Sequence, residues 1–444
     1  MSSESSSSDD DYYEEKNSKY RYKICNKKYI LIKKIGSGAF SSVWLSYNFI
    51  DNKYNAIKIQ NSEDYKDGID EIKFLKKINN IYISNLNDYF IIDKNIYMIF
   101  DLCACNLYNL IKLKVSINIP NIKKIIKQLL IAVSNIHNLG YYHTDLKPEN
   151  ILVQGISNEN KEFITKYSNE NFTSLYKNMK QKYFDNNNYN LKNKNHIKKY
   201  NKNIKENILQ QTNKIILQKL KYYEDSSSEE NEDSSSEENE DIIKENEDSS
   251  SEDNKDIIKE NEDSSSEENE DIIKENIISD DLLKNINIKL TDFGTIHEIE
   301  ERYYNEIQTR YYRAPEVILG LVHNEKVDIW SIGCIILELL TNKIFLNPIK
   351  DSKYTRDFYH LYNIQKYCGK IPDWIYDKSK YKKSYISKGN FKMKIEYSSI
   401  KEYLITNNIY DDNLHEILTG CLNPNYKKRF NVNECLNSKW INNI

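Results

Sequence analysis

The sequence predicts an α+β chain in which a small strand-rich lobe precedes a larger helical lobe and a long low-complexity insert interrupts the fold. Three observations predict it. Runs rich in β-branched and aromatic residues fill the first hundred positions, helical periodicities follow from about residue 120, and residues 155–285 lose both patterns.

Residues 1–16, MSSESSSSDDDYYEEK, have the low apolar content and clustered charge of a disordered acidic tail. A first folded part is expected over 17–154. Within it, YILIKKIGSGAFSSVWLSY from Tyr29 and YNAIKIQ from Tyr54 read as strands, broken by Gly36, Gly38 and the turn at Asp51 to Lys53. Ile69, Ile72, Leu75 and Ile78 then recur every third position, which predicts a helix over 67–78. DYFIID and NIYMIFD read as two further strands. After Pro120, the spacing of Ile122, Ile125, Ile126, Leu129, Leu130, Val133 and Ile136 predicts an amphipathic helix that ends near Gly140.

The insert, 155–285, is expected to be disordered. Its first half is rich in Lys and Asn. In its second half DSSSEENEDIIKENE begins at Asp233 and recurs, with small changes, from Asp248 and Asp263. Each unit holds only the apolar pair Ile-Ile, too little to build a core. Lengthening a loop from about 4 to about 130 residues costs only roughly 3 kcal/mol of closure entropy, so the runs ILV at Ile151 and IKL at Ile288 can remain neighbouring strands. A second folded part, 286–444, carries helical patterns at 326–340, 357–368 and 411–422.

At 444 residues and 39% hydrophobic content, the chain can build a sizeable core. Its net charge of -4 conceals an asymmetry: residues 224–281 hold 26 acidic residues and four lysines, which leaves the remainder strongly basic. The acidic N-terminus has no apolar core of a secretory signal. The apolar run Val327 to Leu340 is too short to span a bilayer. Seven cysteines without paired spacings predict free thiols, and the CAC at Cys103 to Cys105 lacks the spacing of a zinc site. These features predict an intracellular monomer, in cytoplasm or nucleus, with no nucleic-acid or membrane partner.

Chemistry concentrates in two motifs. HTDLKPENIL at His143 to Leu152 puts a proton acceptor, Asp145, a cation, Lys147, and a metal ligand, Asn150, on one tight loop. TDFG at Thr291 to Gly294 supplies a second metal carboxylate, Asp292. Together they point to phosphoryl transfer. Two supporting features lie upstream. In Ile35, Gly36, Ser37, Gly38, Ala39, Phe40, Ser41, Ser42 and Val43, two glycines in a strand turn let backbone amides approach phosphate oxygens, although Ser41 stands where a third glycine would complete the pattern. A Gly-bearing hairpin with no ligand would read much the same. Lys58 in AIK follows at strand spacing, and Glu71 on the next helix can hold its ammonium in place.

These motifs resemble the eukaryotic protein kinase family, over residues 29–154 and 286–441. The resemblance implies a two-lobed protein-kinase fold and a serine/threonine protein kinase that uses ATP and Mg2+. In it Asp145 serves as base, Asn150 and Asp292 hold metal, and the backbone of Asp101 to Cys103 meets adenine. TRYYRAPEVILG at Thr309 to Gly320 is similar to the activation-segment end of the CMGC group, and the resemblance implies an ion pair of Glu316 with Arg429 and a bracing role for Asp328. GSGAFSSVWL, HTD in place of HRD, YTRD at Tyr354 to Asp357 and the position of the insert are closest to the SR-protein kinases. Two departures matter. Thr144 cannot grip an activation-segment phosphate as an arginine would, which predicts activity without such phosphorylation. Phe358 and Tyr359 stand where those kinases carry carboxylates, so an Arg/Ser-repeat substrate is not implied. A basic or proline-containing context for the phosphorylated Ser or Thr stays open. The alternative from another class is a pseudokinase scaffold, which binds partners without phosphotransfer.

Overall fold

The computed structural model describes residues 20, 23–38, 41–48, 50–51, 53–158, 160–161, 164–165, 172–186, 207–208, 211–212, 215, 280–301, 303–304 and 306–443. The chain falls into two compact units, one of 1–32, 47–53 and 163–273, the other of 33–46, 54–162 and 274–444.

The second unit begins within an antiparallel sheet. Strands β2 (Tyr29–Ser37, from Lys33), β3 (Ser41–Asn48), β4 (Lys53–Gln60), β5 (Asp88–Ile92) and β6 (Asn95–Phe100) follow the order β2-β3-β4-β6-β5; β1 (Ile24–Cys25) belongs to the first unit. In β4 the buried residues Ile57 and Ile59 alternate with Lys58, which the period of two sends to the opposite face. The register sets Lys58 opposite Met98 of β6. Helix α1 (Tyr65–Leu75) lies against this sheet through Ile72, Phe74 and Leu75. Gly68 permits that approach, because a Cβ there would meet Ile96 Cδ1 at 2.8 Å and Gln60 Oε1 at 2.9 Å.

After β7 (Cys103–Asn106) and α2 (Leu107–Lys112), helix α3 (Ile119–Asn138) starts where Asn118 accepts a hydrogen bond from Asn121 N and Pro120 occupies the first turn. Its predicted apolar stripe is fully buried, at about 1.5–3 kcal/mol for each large aliphatic side chain. One polar residue lies in the stripe. Gln128 Oε1 accepts from Ile288 N at 2.8 Å, which fixes the strand that follows the insert.

Beyond β8 (Tyr141–Tyr142), strand β9 (Ile151–Gln154) pairs antiparallel with β10 (Ile288–Leu290), Val153 opposite Ile288 and Ile151 opposite Leu290. The two runs that flank the insert are therefore neighbours. Short helix α4 (Asp280–Lys284) precedes β10, and β11 (His297–Glu298) pairs with β8. Then come α5 (Pro315–Ile318), α6 (Lys326–Thr341), α7 (Arg356–Cys368), α8 (Asp373–Lys378), α9 (Lys382–Tyr385), the hairpin β12 (Ile386–Ser387) and β13 (Asn390–Phe391), α10 (Ile400–Thr406), α11 (Asp412–Cys421), α12 (Val432–Leu436) and α13 (Lys439–Asn442). Helix α6 is apolar on nearly every side and is the centre of the core, as the Val327 to Leu340 run predicts. Among the described residues no helix is long and apolar enough to cross a membrane, and all seven cysteines are free thiols.

In the first unit, β1 pairs with the start of β2, Ile24 opposite Ile30. The expectation of disorder across all of 155–285 is corrected by a helix at Phe172–Asn186. Its signal was present: Phe172, Leu175, Tyr176, Met179 and Tyr183 fall at helical spacing, and the Lys and Asn content of the segment masked them. The acidic tail and the 15-residue repeats lie outside the described residues.

Candidate active site

Three charged side chains meet where β4, α1 and the TDFG turn converge. Lys58 Nζ donates to Glu71 Oε1 at 3.0 Å and Oε2 at 2.8 Å, and to Asp292 Oδ1 at 2.8 Å. Burial alone would depress the Lys58 ammonium, but Glu71 and Asp292 more than offset it and hold it well above the ordinary lysine range. Burial raises the Asp292 carboxyl, and Lys58 beside it outweighs that effect and keeps it below the usual carboxylate range. Both groups are thus charged at neutral pH. Glu71 is almost fully buried and acts on Lys58, and its Oε1 also accepts a long contact of 3.4 Å from Phe293 N.

The catalytic-loop residues form a second cluster. Asp145 Oδ2 accepts from Lys147 Nζ at 2.6 Å, while Asp145 Oδ1 accepts from Thr309 N at 2.9 Å and Thr309 Oγ1 at 2.8 Å. Lys147 Nζ also reaches Thr309 Oγ1 at 3.1 Å. Asn150 donates its amide to Asp145 O at 2.9 Å, which leaves its oxygen as the free acceptor. Below the loop, Asp328 accepts from His143 N at 2.8 Å and Thr144 N at 3.0 Å, the brace that the resemblance implied. His143 Nε2 contacts Thr291 O at 3.0 Å, tying this loop to the TDFG turn.

Thr144 and Asp292 both lie in the left-handed region, at φ of 74° and 69°. Neither is glycine. Each costs on the order of 1–3 kcal/mol, which the bonds around it must offset, and such strain collects at functional sites.

The oxygens available to a cation are those of Asn150 and Asp292, and among the described residues no group of three or more His, Cys, Asp or Glu could hold a metal. That set fits Mg2+, which takes one or two protein ligands and completes its shell with water and nucleotide phosphate. The glycine turn is formed by β2 and β3, with Gly38 N donating to Ser41 O at 2.8 Å. Ile35, Gly36, Ser37, Ser42 and Val43 flank it on the strands. Ala39 and Phe40 lie outside the described residues. Asp101 turns its carboxylate to Asn87 Nδ2 at 2.8 Å, so only its backbone is offered to a nucleotide. Burial pushes the Cys103 thiol up to about 12, so it stays protonated.

Several residues escaped the sequence reading. Thr309 was read only as part of a motif, yet it donates twice to Asp145 Oδ1. Gln308, at φ 65° and buried, donates to Tyr312 O at 3.1 Å, Val327 O at 2.9 Å and Ser331 Oγ at 2.8 Å, and accepts from Ala314 N at 2.9 Å. Thr295, whose carbonyl accepts from Thr144 Oγ1 at 2.7 Å, is a third. Their signal was only that polar residues occupy positions flanked by buried ones. Deeper in the fold, Arg429 pairs with Glu316 through two bonds of 2.6 and 2.9 Å, both side chains fully buried.

The protein kinase domain family matches residues 29–167 and 269–441. The chain belongs to the protein kinase family. It is a serine/threonine protein kinase with SRPK-type relatives, within the CMGC group. This kinase is 30% identical to a serine/threonine-protein kinase of Acanthamoeba polyphaga mimivirus, over 94% of this chain and 87% of that protein. It is 27% identical to the protein kinase dsk1 of Schizosaccharomyces pombe, over 94% and 81% of the two chains. It is likewise 27% identical to the serine/threonine-protein kinase SRPK of Physarum polycephalum, over 83% and 74%.

Proposed function

We propose that this kinase is catalytically active, transfers the γ-phosphate of ATP to Ser or Thr of a protein, and needs no phosphate on its own activation segment. The observation that carries the reading is the double hold on Asp145, by Lys147 on one oxygen and Thr309 on the other. The carboxylate held in this way and the lysine shared between Glu71 and Asp292 support phosphotransfer over a scaffold that only binds partners.

Asp145 accepts the hydroxyl proton of the substrate as its oxygen bonds to phosphorus and the bond from phosphorus to the β-phosphate oxygen breaks, releasing ADP. Lys147 balances charge on the transferring group. Lys58 orients the α- and β-phosphates, and Glu71 keeps it from drifting. Mg2+, when bound through Asn150 and Asp292, neutralises the phosphate charge. The glycine turn and the backbone of Asp101 to Cys103 bind the remainder of the nucleotide.

Independence from phosphorylation rests on neutral contacts. Thr144 ties the start of the activation segment to Thr295, and Gln308 ties its end to α6, through bonds that involve no phosphate. We further propose that the kinase works as a monomer inside the cell, in cytoplasm or nucleus.

The test is transfer of labelled phosphate to a generic basic protein and to serine peptides, by chain treated with phosphatase. Full turnover is expected after that treatment, and an Asp145→Asn chain should lose roughly 10²–10⁴ in kcat. A wild-type chain that turns over no ATP would leave the scaffold reading standing.

A further inference from the structure

We propose that the lysine-rich face formed by α9 and the β12–β13 hairpin is a docking surface for an acidic segment of the protein substrate, several residues away from the phosphorylated Ser or Thr. The inference rests on the kinase reading above and adds to it a class of substrate.

Residues 378–394 contain seven lysines and no carboxylate, roughly three times the density of basic residues in the whole chain. All seven are exposed. The nearest acidic groups in sequence are mostly committed: Asp377 pairs with Lys382 at 2.6 Å, Asp373 with Lys370 at 2.9 Å, and Asp357 with Arg310. Glu396 is exposed further along. Among the described residues no carboxylate pairs with Lys383, Lys388, Lys392 or Lys394.

The face is held rigidly. Lys388 and Gly389, at φ of 50° and 80°, make the two-residue turn that a tight hairpin requires, with Ile386 opposite Phe391. Lys392 N donates to Tyr385 O at 2.9 Å. Beneath, Phe391 stacks on Phe358 at 4.6 Å and Phe358 on Tyr354 at 3.9 Å. Fixed charges of one sign cost little reorganisation when a partner of the other sign arrives.

Its place in the fold argues for substrate. Thr309 touches Asp145, Arg310 follows it and pairs with Asp357 of α7, and Phe358 of the same helix carries the hairpin. The lysine face thus begins one helix away from the residue that contacts the base. Phe358 and Tyr359 themselves cannot serve a basic substrate: Phe358 is buried in the stack, and the Tyr359 hydroxyl is bonded to Asp351. Every cation on 378–394 is a lysine. An ammonium is a point charge that demands no fixed geometry of its partner, and this face lies beside residues that contact a polypeptide substrate, so the occupant is an acidic polypeptide.

Two readouts test this, both on the full chain. A serine peptide with about six Asp and Glu appended beyond a Gly/Ser spacer is compared with the same peptide without them. The acidic tract is expected to lower KM by about tenfold at low salt with kcat unchanged, and the gain should fade as salt is raised. Lys383, Lys388, Lys392 and Lys394 all changed to Glu should abolish the gain, and all four changed to Gln should remove most of it. Neither variant should alter KM or kcat for the short peptide. The second readout is fluorescence anisotropy of the labelled acidic peptide on the Asp145→Asn chain, which reports docking without turnover and so separates failure of docking from failure of phosphotransfer. Equal KM with and without the tract, equal gain in wild type and the Glu variant, or a labelled RNA oligomer bound where the acidic peptide is not, would each overturn the proposal.

Discussion

Two regions of the same site are held by different forces. Around Lys58, the contacts are ionic: one largely buried ammonium is shared by the buried Glu71 and by Asp292, whose carboxylate is about half exposed. Along the activation segment the side-chain contacts of Thr144 and Gln308 are neutral, to Thr295 and to Tyr312, Val327 and Ser331, while Arg310 and Arg313 of the same segment pair with Asp357 and Glu306. The difference teaches where charge is needed. The first region must meet a polyanionic phosphate chain, and fixed charges there cost no reorganisation when it arrives. The second must only keep a segment in place. Neutral hydrogen bonds do that without responding to salt or to phosphorylation.

The strongest test of this contrast is Lys58→Met. The change removes the ammonium and leaves Glu71 buried without its partner, so a fall in kcat on the order of 10²–10³ is expected. Steady-state phosphotransfer measures it, with circular dichroism to verify that the fold persists. Turnover near the wild-type rate would mean that the ionic region is structural, and the comparison would break at its first term.

Gln308→Ala addresses the neutral region. It removes the donor to Val327 O and Ser331 Oγ and strands the Ala314 N–H in the interior, where a buried unsatisfied group costs about 1–3 kcal/mol, while Tyr312 O keeps the Ser331 hydroxyl at 2.9 Å. Thermal unfolding should register a loss in that range, the same at low and high salt. A rise in KM should accompany it as Thr309 loses its support. A loss that shrinks as salt is raised would show that charge contributes to this region after all.

Sequence reading reached these two regions unequally, for a physical reason. Lys58, Glu71, Asp145, Asn150 and Asp292 are charged or polar residues in short motifs whose spacing follows from the chemistry. Their clustering was legible from the order of strands and helices, and so was the pairing of β9 with β10 across the insert. Gln308 and Thr309 carry no such mark. A glutamine before a threonine is ordinary surface chemistry until the backbone takes φ of 65° and turns the amide inward among carbonyls. The helix at Phe172–Asn186 was missed because polar composition outweighed a periodicity of only a few apolar residues. Gly420 was illegible for the opposite reason: only the packed structure reveals that a Cβ there would run into the Phe430 ring, next to the Arg429 that pairs with Glu316.

The smallest expected effect lies where a charge intrudes on the neutral region. Glu338 of α6 is buried, and its Oε2 accepts from the Tyr312 hydroxyl at 2.7 Å. Burial pushes its carboxyl up to about 6, against the opposing pull of that hydrogen bond, from an ordinary value of 4.5. Between those two values the folded chain binds more protons than the unfolded one, so stability is greatest below 4.5 and falls as pH rises through about 6. The penalty at neutral pH is about 2 kcal/mol at most. Glu338→Gln keeps an acceptor for Tyr312 and removes the charge. The variant should therefore match wild type near pH 4.5 and exceed it in stability by about 1–2 kcal/mol near pH 7.5, measured by denaturant unfolding across that range. Parallel curves would show that Glu338 titrates alike in the folded and unfolded chain, and that its burial beneath the activation segment imposes no charge penalty.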